Sequence, residues 1–230
     1  MAQRTVVLSP HLDDAVLSCW HVLTGAGDVT VVNVFAAVPE AGRLGWWDRL
    51  TGARDSAERM RERLLEDAEA LGLVGAAVVN LDQLDSQYRR NGSQPSLERA
   101  LADALRGADV VYAPAALFPT EDHELVRAAV LEQRPDVRLY ADLPHAALYG
   151  LPAWVTGEQE DELDVDGSWR GRLEEAGLRP DALRPEVHRL DDEEFERKLD
   201  VLRRYRTQLP ALEREAPLEA LRWEVAWRRP

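Results

Sequence analysis

The sequence predicts an α/β protein: a Rossmann-like three-layer sandwich with a mainly parallel sheet and a C-terminal helical extension. Two observations predict it. Short apolar, β-branched runs alternate with stripes of helical spacing through the first 152 residues, an arrangement that implies right-handed crossovers and a sheet covered on both faces. The residues best suited to chemistry stand just after strands, where open α/β sheets bind ligands.

Thr5 to Leu8 reads as the first strand, and from Asp13 the spacing of Val16, Trp20 and Leu23 predicts a helix running until Gly25. Val29 to Phe35 is the second strand. A Gly/Pro/Trp-rich loop through Trp46 and Trp47 then leads to a second helix, marked by Met60, Leu64, Ala68 and Leu71 and ended by Gly72. Ala76 to Leu81 is the third strand. The polar stretch from Asp82 to Gln94 precedes a helix carrying Leu97, Leu101 and Leu105, and Gly107 separates it from the strand Val110 to Ala113. A fourth helix starts near Thr120, and the fifth strand spans Val137 to Ala141.

Beyond Pro152 the pattern changes. Glu158 to Asp166 holds six acids and no base, which reads as a solvated loop. A long amphipathic helix from Asp191 carries Phe195, Leu199, Leu202 and Tyr205, and a shorter helix after Pro217 carries Leu221, Trp223 and Trp227. Both are expected to pack on the sheet as appendages. With no internal repeat and no independent second core, residues 1–230 read as one domain: a core over 1–152, then an acidic loop and helical extension over 153–230.

Composition narrows the function. Among 230 residues, 45% are hydrophobic and 30% charged, an ordinary globular balance. Lys and Arg total 28 against 42 Asp and Glu, and the net charge of −14 disfavours nucleic acid and anionic membrane partners. Neutral, cationic or metal-bound small molecules fit better. Cys19 is the only cysteine, which excludes an internal disulfide and any multi-cysteine metal site and suits a reducing cytoplasm. No window approaches the ~20 apolar residues of a membrane span, so a cytoplasmic protein is expected. An oligomer is compatible with everything above.

The chemistry concentrates in Ser9-Pro10-His11-Leu12-Asp13-Asp14, between the first strand and the first helix. One imidazole and two carboxylates within four residues are a dense set of metal donors, and a second histidine, His123, follows the fourth strand. In a doubly wound sheet strands one and four are neighbours at the switch point, so both groups face one crevice. Two imidazoles and one carboxylate would hold zinc with a position open for water and leave the other carboxylate as a base. The simpler alternative is that Asp13 and Asp14 only cap the helix.

The stretch Pro10-His11-Leu12-Asp13-Asp14-Ala15-Val16-Leu17-Ser18-Cys19 resembles the first motif of the LmbE/PIG-L family of zinc-dependent N-acetylglucosaminyl de-N-acetylases. Arg63 to Asp67, Leu84 to Arg89, Asp122-His123, Tyr140 to Pro144 and Lys198 to Gln208 resemble further family segments, whereas Trp154 to Glu186 matches none. The resemblance implies that His11, Asp14 and His123 ligate Zn2+ or another divalent metal. It implies that Asp13 is the general base acting on the zinc-bound water, that Asp122 supports the ligands, and that Arg63 and Asp85 contact the sugar. Arg63 could instead pair with Asp67, and Asp85 could be a turn acid.

Two departures stand out. The family usually reads His-Pro-Asp-His before the fourth helix, but Thr120 stands where the first histidine, often assigned as the general acid, would be. Thr120 suits a helix N-cap, and the donor of a proton to the leaving amine stays open between Asp13 and His145, just past the fifth strand. His145 could also be a loop histidine with no part in the reaction. The other departure is Trp20 with His21, where glycines are common. His21 and His188 read as structural, Cys19 as a buried helix residue, and Trp46 with Trp47 as either a pocket wall or a cover for the core.

The expected function is therefore hydrolysis of an N-acetyl amide on an amino sugar or sugar-bearing small molecule, with release of acetate. A thiol conjugate or another aminoglycosidic metabolite is a second substrate of the same chemistry. The alternative from another class is a ligand-binding protein that keeps the metal site but has little turnover. A nucleotide-binding module is disfavoured, because the first turn lacks G-x-G-x-x-G and the chain has no P-loop.

Overall fold

The chain begins with β1 (Arg4–Ser9), α1 (Asp14–Ser18), α2 (Trp20–Leu23), β2 (Asp28–Asn33), α3 (Trp46–Leu50), α4 (Ser56–Val74) and β3 (Ala77–Asn80). It continues with α5 (Glu98–Ala104), β4 (Val110–Pro114), α6 (Glu121–Gln133), β5 (Arg138–Tyr140), α7 (Ala153–Thr156) and α8 (Val165–Glu175). The last elements are β6 (Arg184–Arg189), α9 (Asp192–Leu202), α10 (Leu209–Leu212) and β7 (Trp223–Arg228). These come from a computed structural model that describes residues 2–229 except 90–92, 94, 119, 159–162 and 215–216.

One mixed sheet joins the strands in the order β3-β2-β1-β4-β5-β7-β6. The first five are parallel, as the alternation of strands and helices requires. Val6, Val7 and Leu8 are consecutive and all fully buried, so both faces of the central strand are covered. The helices supply that cover in two groups, with α1 and α4 packing on α9 and α5 packing on α6. The order of strand addition reverses at β1, with β2 and β3 laid down on one side of it and β4 and β5 on the other. The loops leaving these two strands therefore open a crevice at their C-terminal ends.

The C-terminal part departs from the expectation at one element. Trp223 to Trp227 forms a strand instead of a helix, inserted between β5 and β6 and antiparallel to both. Trp227 stands opposite Leu139, and Val225 opposite Val187. Apolar residues two and four apart satisfy both periods, and the open edge of β5 decides between them. The outer strand β6 carries Pro185 and charged Arg184, Glu186 and Arg189, all features that suit a sheet edge.

Three boundaries also differ. The first helix breaks at Cys19, and the backbone amides of Trp20 and His21 at the start of α2 donate to the Glu224 carboxylate at 2.7 and 2.9 Å. The second expected helix, α4, runs past Gly72 to Val74. Gly75, at φ 72°, closes it in the left-handed conformation that glycine adopts without strain. Of the acidic run 158–166, residues 159–162 lie outside the described residues, Asp164 caps α8 through the Gly167 amide, and Asp166 is already in that helix. Among the described residues no helix is long and apolar enough to cross a membrane.

Candidate active site

The turn after β1 is organised by its own side chains. Ser9 Oγ accepts from the Ala15 amide at 3.0 Å and Asp14 Oδ2 from the His11 amide at 2.7 Å, so the turn closes before α1 begins. Asp13 occupies the N-cap position of α1 but makes no capping hydrogen bond with its side chain. Helix capping therefore does not account for this carboxylate.

His11, Asp14 and His123 come together, their donor atoms forming a near-equilateral triangle. His11 Nδ1 lies 3.5 Å from Asp14 Oδ2, His123 Nε2 lies 3.3 Å from the same oxygen, and the two imidazole nitrogens are 3.3 Å apart. Bonds of ~2.0–2.1 Å at tetrahedral angles place neighbouring donors about 3.3 Å apart, so the triangle fits one metal ion with little rearrangement. His11 also faces a second group of possible donors, its Nε2 lying 3.1 Å from Asp122 Oδ2 and 3.8 Å from Asp85 Oδ2.

The remaining nitrogens each face a carboxylate. His123 Nδ1 is 2.7 Å from Asp142 Oδ1, and His11 Nε2 is held by Asp122. A neutral ring that donates to these carboxylates directs its bare nitrogen into the triangle, the carboxylate-to-histidine arrangement that orients metal ligands. Asp122 is itself fixed by Arg89 at 2.6 Å and by the Ser86 amide at 2.9 Å. Burial raises the Asp122 pKa, but His11, Ser86 and Arg89 together bring it down to about 2. Asp142 has a second task, since its Oδ2 accepts from the Leu117 amide at 3.0 Å. That bond helps pin the loop from β4 to α6, where Ala116 takes a φ of 51° and Arg127 donates to the Ala115 carbonyl at 2.7 Å.

The electrostatics call for positive charge at the triangle. Burial lowers the His123 pKa, but Asp14 and Asp142 outweigh it and push the ring up to about 10. Asp14 is drawn well below the carboxylate range against its own burial, by His123 and His11. Asp13 behaves oppositely: burial and the adjacent Asp14 raise it, with only partial relief from Arg63. The two neighbouring acids are thus separated into a firmly ionised one and a more basic one.

A cavity of about 300 Å³ opens above these groups, lined at its inner end by His11, Asp13, Asp14, Arg63 and Asp85. Arg63 does not take the Asp67 partner its spacing allows, because Asp67 is bound by Asn33 and Tyr205. Its guanidinium approaches Asp85 at 3.9 Å, and its buried Nε and Nη1 have no protein acceptor. Asp85 caps a short 3-10 turn by accepting from the Gln87 amide. Thr120 occupies the N-cap of α6 without a capping hydrogen bond from its side chain and lines the cavity instead. His145 lines it too, stacked on Phe118 at 5.7 Å and edge-on to His123 at 6.3 Å. Trp46 and Trp47 both form part of the wall, and Trp47 Nε1 donates to Gln208 at 2.6 Å.

Residues 6–133 match the family model described as PIG-L, GlcNAc-PI de-N-acetylase. The chain belongs to this family. Within it, the chain is 35% identical over 197 residues to 2'-N-acetylparomamine deacetylase of Streptomyces fradiae. That alignment takes in 77% of this chain and spans 65% of the relative's length. The crystal structure of A40926 pseudoaglycone deacetylase Dbv21 superposes with a TM-score of 0.70 at 27% identity, covering 99% of this chain and 97% of that one. The zinc-inhibited form of teicoplanin deacetylase Orf2 shares the fold, with a TM-score of 0.71 at 24% identity and coverage of 98% and 97%.

The sequence points to the triangle and, by the resemblance, to Asp122 beside His11, but not to Asp142 or Arg89. Asp142 and Arg89 lie in segments that resemble the PIG-L family, yet no local pattern assigns them a partner 19 or 33 residues away. Phe118, Leu148, Gln208 and Leu212 complete the cavity wall from three different parts of the chain.

Proposed function

We propose that this protein is a metal-dependent N-deacetylase that hydrolyses the N-acetyl amide of an amino sugar, or of a small molecule bearing one, and releases acetate. The observation that carries this reading is the triangle of His11, Asp14 and His123 at ligand spacing, with Asp13 buried beside it and left out of it. Membership of the PIG-L family and the deacetylases it resembles support the reaction class. Zinc is the proposed ion, because two imidazoles and one carboxylate with a position left open suit it. Bound there, it would polarise the amide carbonyl and make water a stronger acid.

The chain's own residues supply the rest. Asp13, raised by burial and by Asp14, accepts the proton of the attacking water. Arg63 turns its unpartnered N–H groups to oxygens of the sugar, and Asp85 accepts from a hydroxyl. The departing nitrogen needs a proton, which Asp13 returns or His145 provides from the cavity wall. We place the enzyme in the cytoplasm, where its one buried thiol, Cys19, stays reduced.

Elemental analysis of the purified protein, followed by acetate release from a panel of N-acetylglucosamine derivatives, tests the reading. Zinc content with acetate release supports it. A metal-free protein indifferent to chelators sinks it, and bound metal without acetate from any derivative indicates a binding protein. Replacing Asp13 by Asn keeps the metal and removes most turnover, whereas Ala at His11, Asp14 or His123 weakens metal binding itself. Equal metal loss in all four variants contradicts the division of roles between the two acids.

A further inference from the structure

The cavity is chemically two-sided. Its inner end holds every carboxylate that lines it: Asp14 with His11 and His123, Asp85 with Gln87 and Arg63, and the buried Asp13. The rest of the lining is mixed, apolar at Trp46, Phe118, Leu148 and Leu212 and polar at Thr120 and His145, and the exposed side chains in it are the apolar Trp46 and Leu148. Trp46 is 67% exposed although it stands at the start of α3 with its ring edge-on to Trp47 at 5.7 Å. Leu50, one helical turn further along α3, is also exposed, as is Tyr149, the chain neighbour of Leu148.

An indole left largely in water beside a cleft forgoes burial energy that a ligand can recover. The placement of Trp46 is fixed rather than accidental. Its neighbour Trp47 is tied to Gln208, Asp48 accepts from the Tyr88 hydroxyl at 2.6 Å, and the Gly45 amide donates to Ser56 Oγ at 2.8 Å. α3 is therefore held at the mouth with one indole anchored inward and the other presented outward. Among the described residues, no carboxylate lines the cavity on its Trp46 side to bind an ammonium group.

We propose that Trp46, with Leu148 on the same wall, is a specificity-determining platform for an uncharged aromatic or alkyl group attached to the N-acetyl sugar. The inference rests on the deacetylase reading above. The acetamide and sugar ring occupy the polar inner end, and the attached group lies against the indole at the mouth. Amino sugars carrying an apolar aglycone are then preferred to sugars studded with free ammonium groups, which find no counter-charge there.

The test compares kcat/KM for the metal-loaded enzyme on three substrates: methyl, phenyl and octyl glycosides of N-acetylglucosamine. A fourth substrate is an N-acetyl amino sugar bearing two free ammonium groups. Phenyl and octyl glycosides are expected to exceed the methyl glycoside by about 10- to 100-fold, mainly through KM, with the cationic substrate below all three. In Trp46→Ala the phenyl-to-methyl ratio collapses toward one, and Trp46→Phe restores part of it. A merely structural role for Trp46 would lower all substrates alike and keep the ratio, which overturns the proposal. Equal rates on methyl and phenyl glycosides, or a preference for the cationic substrate, overturn it while leaving the deacetylase reading intact. Calorimetry with phenyl β-glucoside, which has no acetamide, reads the platform without turnover: binding weakened by Trp46→Ala supports it, and no binding counts against it.

Discussion

Asp142 shows how one side chain can serve both a histidine and a loop. One oxygen orients His123 and the other holds the Leu117 amide, so Asp142→Asn keeps an acceptor for only one of them. Loss of an orienting carboxylate of this kind costs about 10- to 100-fold in metal affinity, and chelator competition on the purified variant is expected to show it. An unchanged affinity would mean that the His123 ring is held by packing alone. His145 poses the proton question directly. If it protonates the leaving amine, His145→Ala lowers kcat by about 100- to 10,000-fold with zinc content retained. A nearly silent substitution assigns both proton transfers to Asp13. His11, Asp13 and Asp14 were legible in the sequence because the motif is contiguous and a single turn builds it. Asp142 was not, because its role arises only when β5 is laid beside β4 and its end reaches α6.

Among the elements, β7 ties the late chain to the first helices. Its Glu224 accepts from two amides of α2, pairs with Lys198 of α9 at 2.6 Å and lies 2.6 Å from His21 Nδ1, all fully buried on the glutamate side. Burial alone would raise the Glu224 pKa; Lys198 and His21 overcome it and depress the group from 4.5 to about 2. A depressed acid contributes stability that is present above its unfolded pKa and is lost as pH falls through the folded one. The contribution therefore holds above pH 4.5 and disappears on descent toward about 2. Glu224→Gln leaves Lys198 buried without its counter-charge, at a cost of about 3–5 kcal/mol. Urea unfolding at pH 7 should show that loss, and the gap between variant and native protein should narrow below pH 4.5. A gap independent of pH would place the effect in packing. The same strand marks where sequence reading went astray. Glu224, Val225, Ala226 and Trp227 are all buried, so this stretch has no solvent-facing side, and the spacing of Leu221, Trp223 and Trp227 suits a helix as well as a strand.

At the scale of the whole molecule, the parallel half of the sheet and the crevice at its switch point were readable, since both follow from the alternation of strands and helices. The antiparallel closure by β7 and β6 was not, because it is decided by pairing between segments far apart in sequence. The crevice brings together Asp13, Asp14, Asp85, Asp122 and Asp142, five carboxylates against the two guanidinium groups of Arg63 and Arg89. Without an ion, protonated His123 and His11 offset part of that negative charge, and a divalent cation held by the neutral rings would take over the same task. The ion would join the turn after β1 to the start of α6, adding to the contacts of His11 with Asp122 and of His123 with Asp14, and would thus couple to folding. With free zinc at about 1,000 times its Kd, binding to the folded state alone adds about 4 kcal/mol. In a chain of this size that corresponds to a rise in Tm of about 8–16 °C. Calorimetric or fluorescence melts with zinc and with chelator should therefore separate by that interval for the native protein and coincide for His123→Ala. Melts of the native protein that coincide under both conditions would show that the triangle of His11, Asp14 and His123 holds no ion in solution.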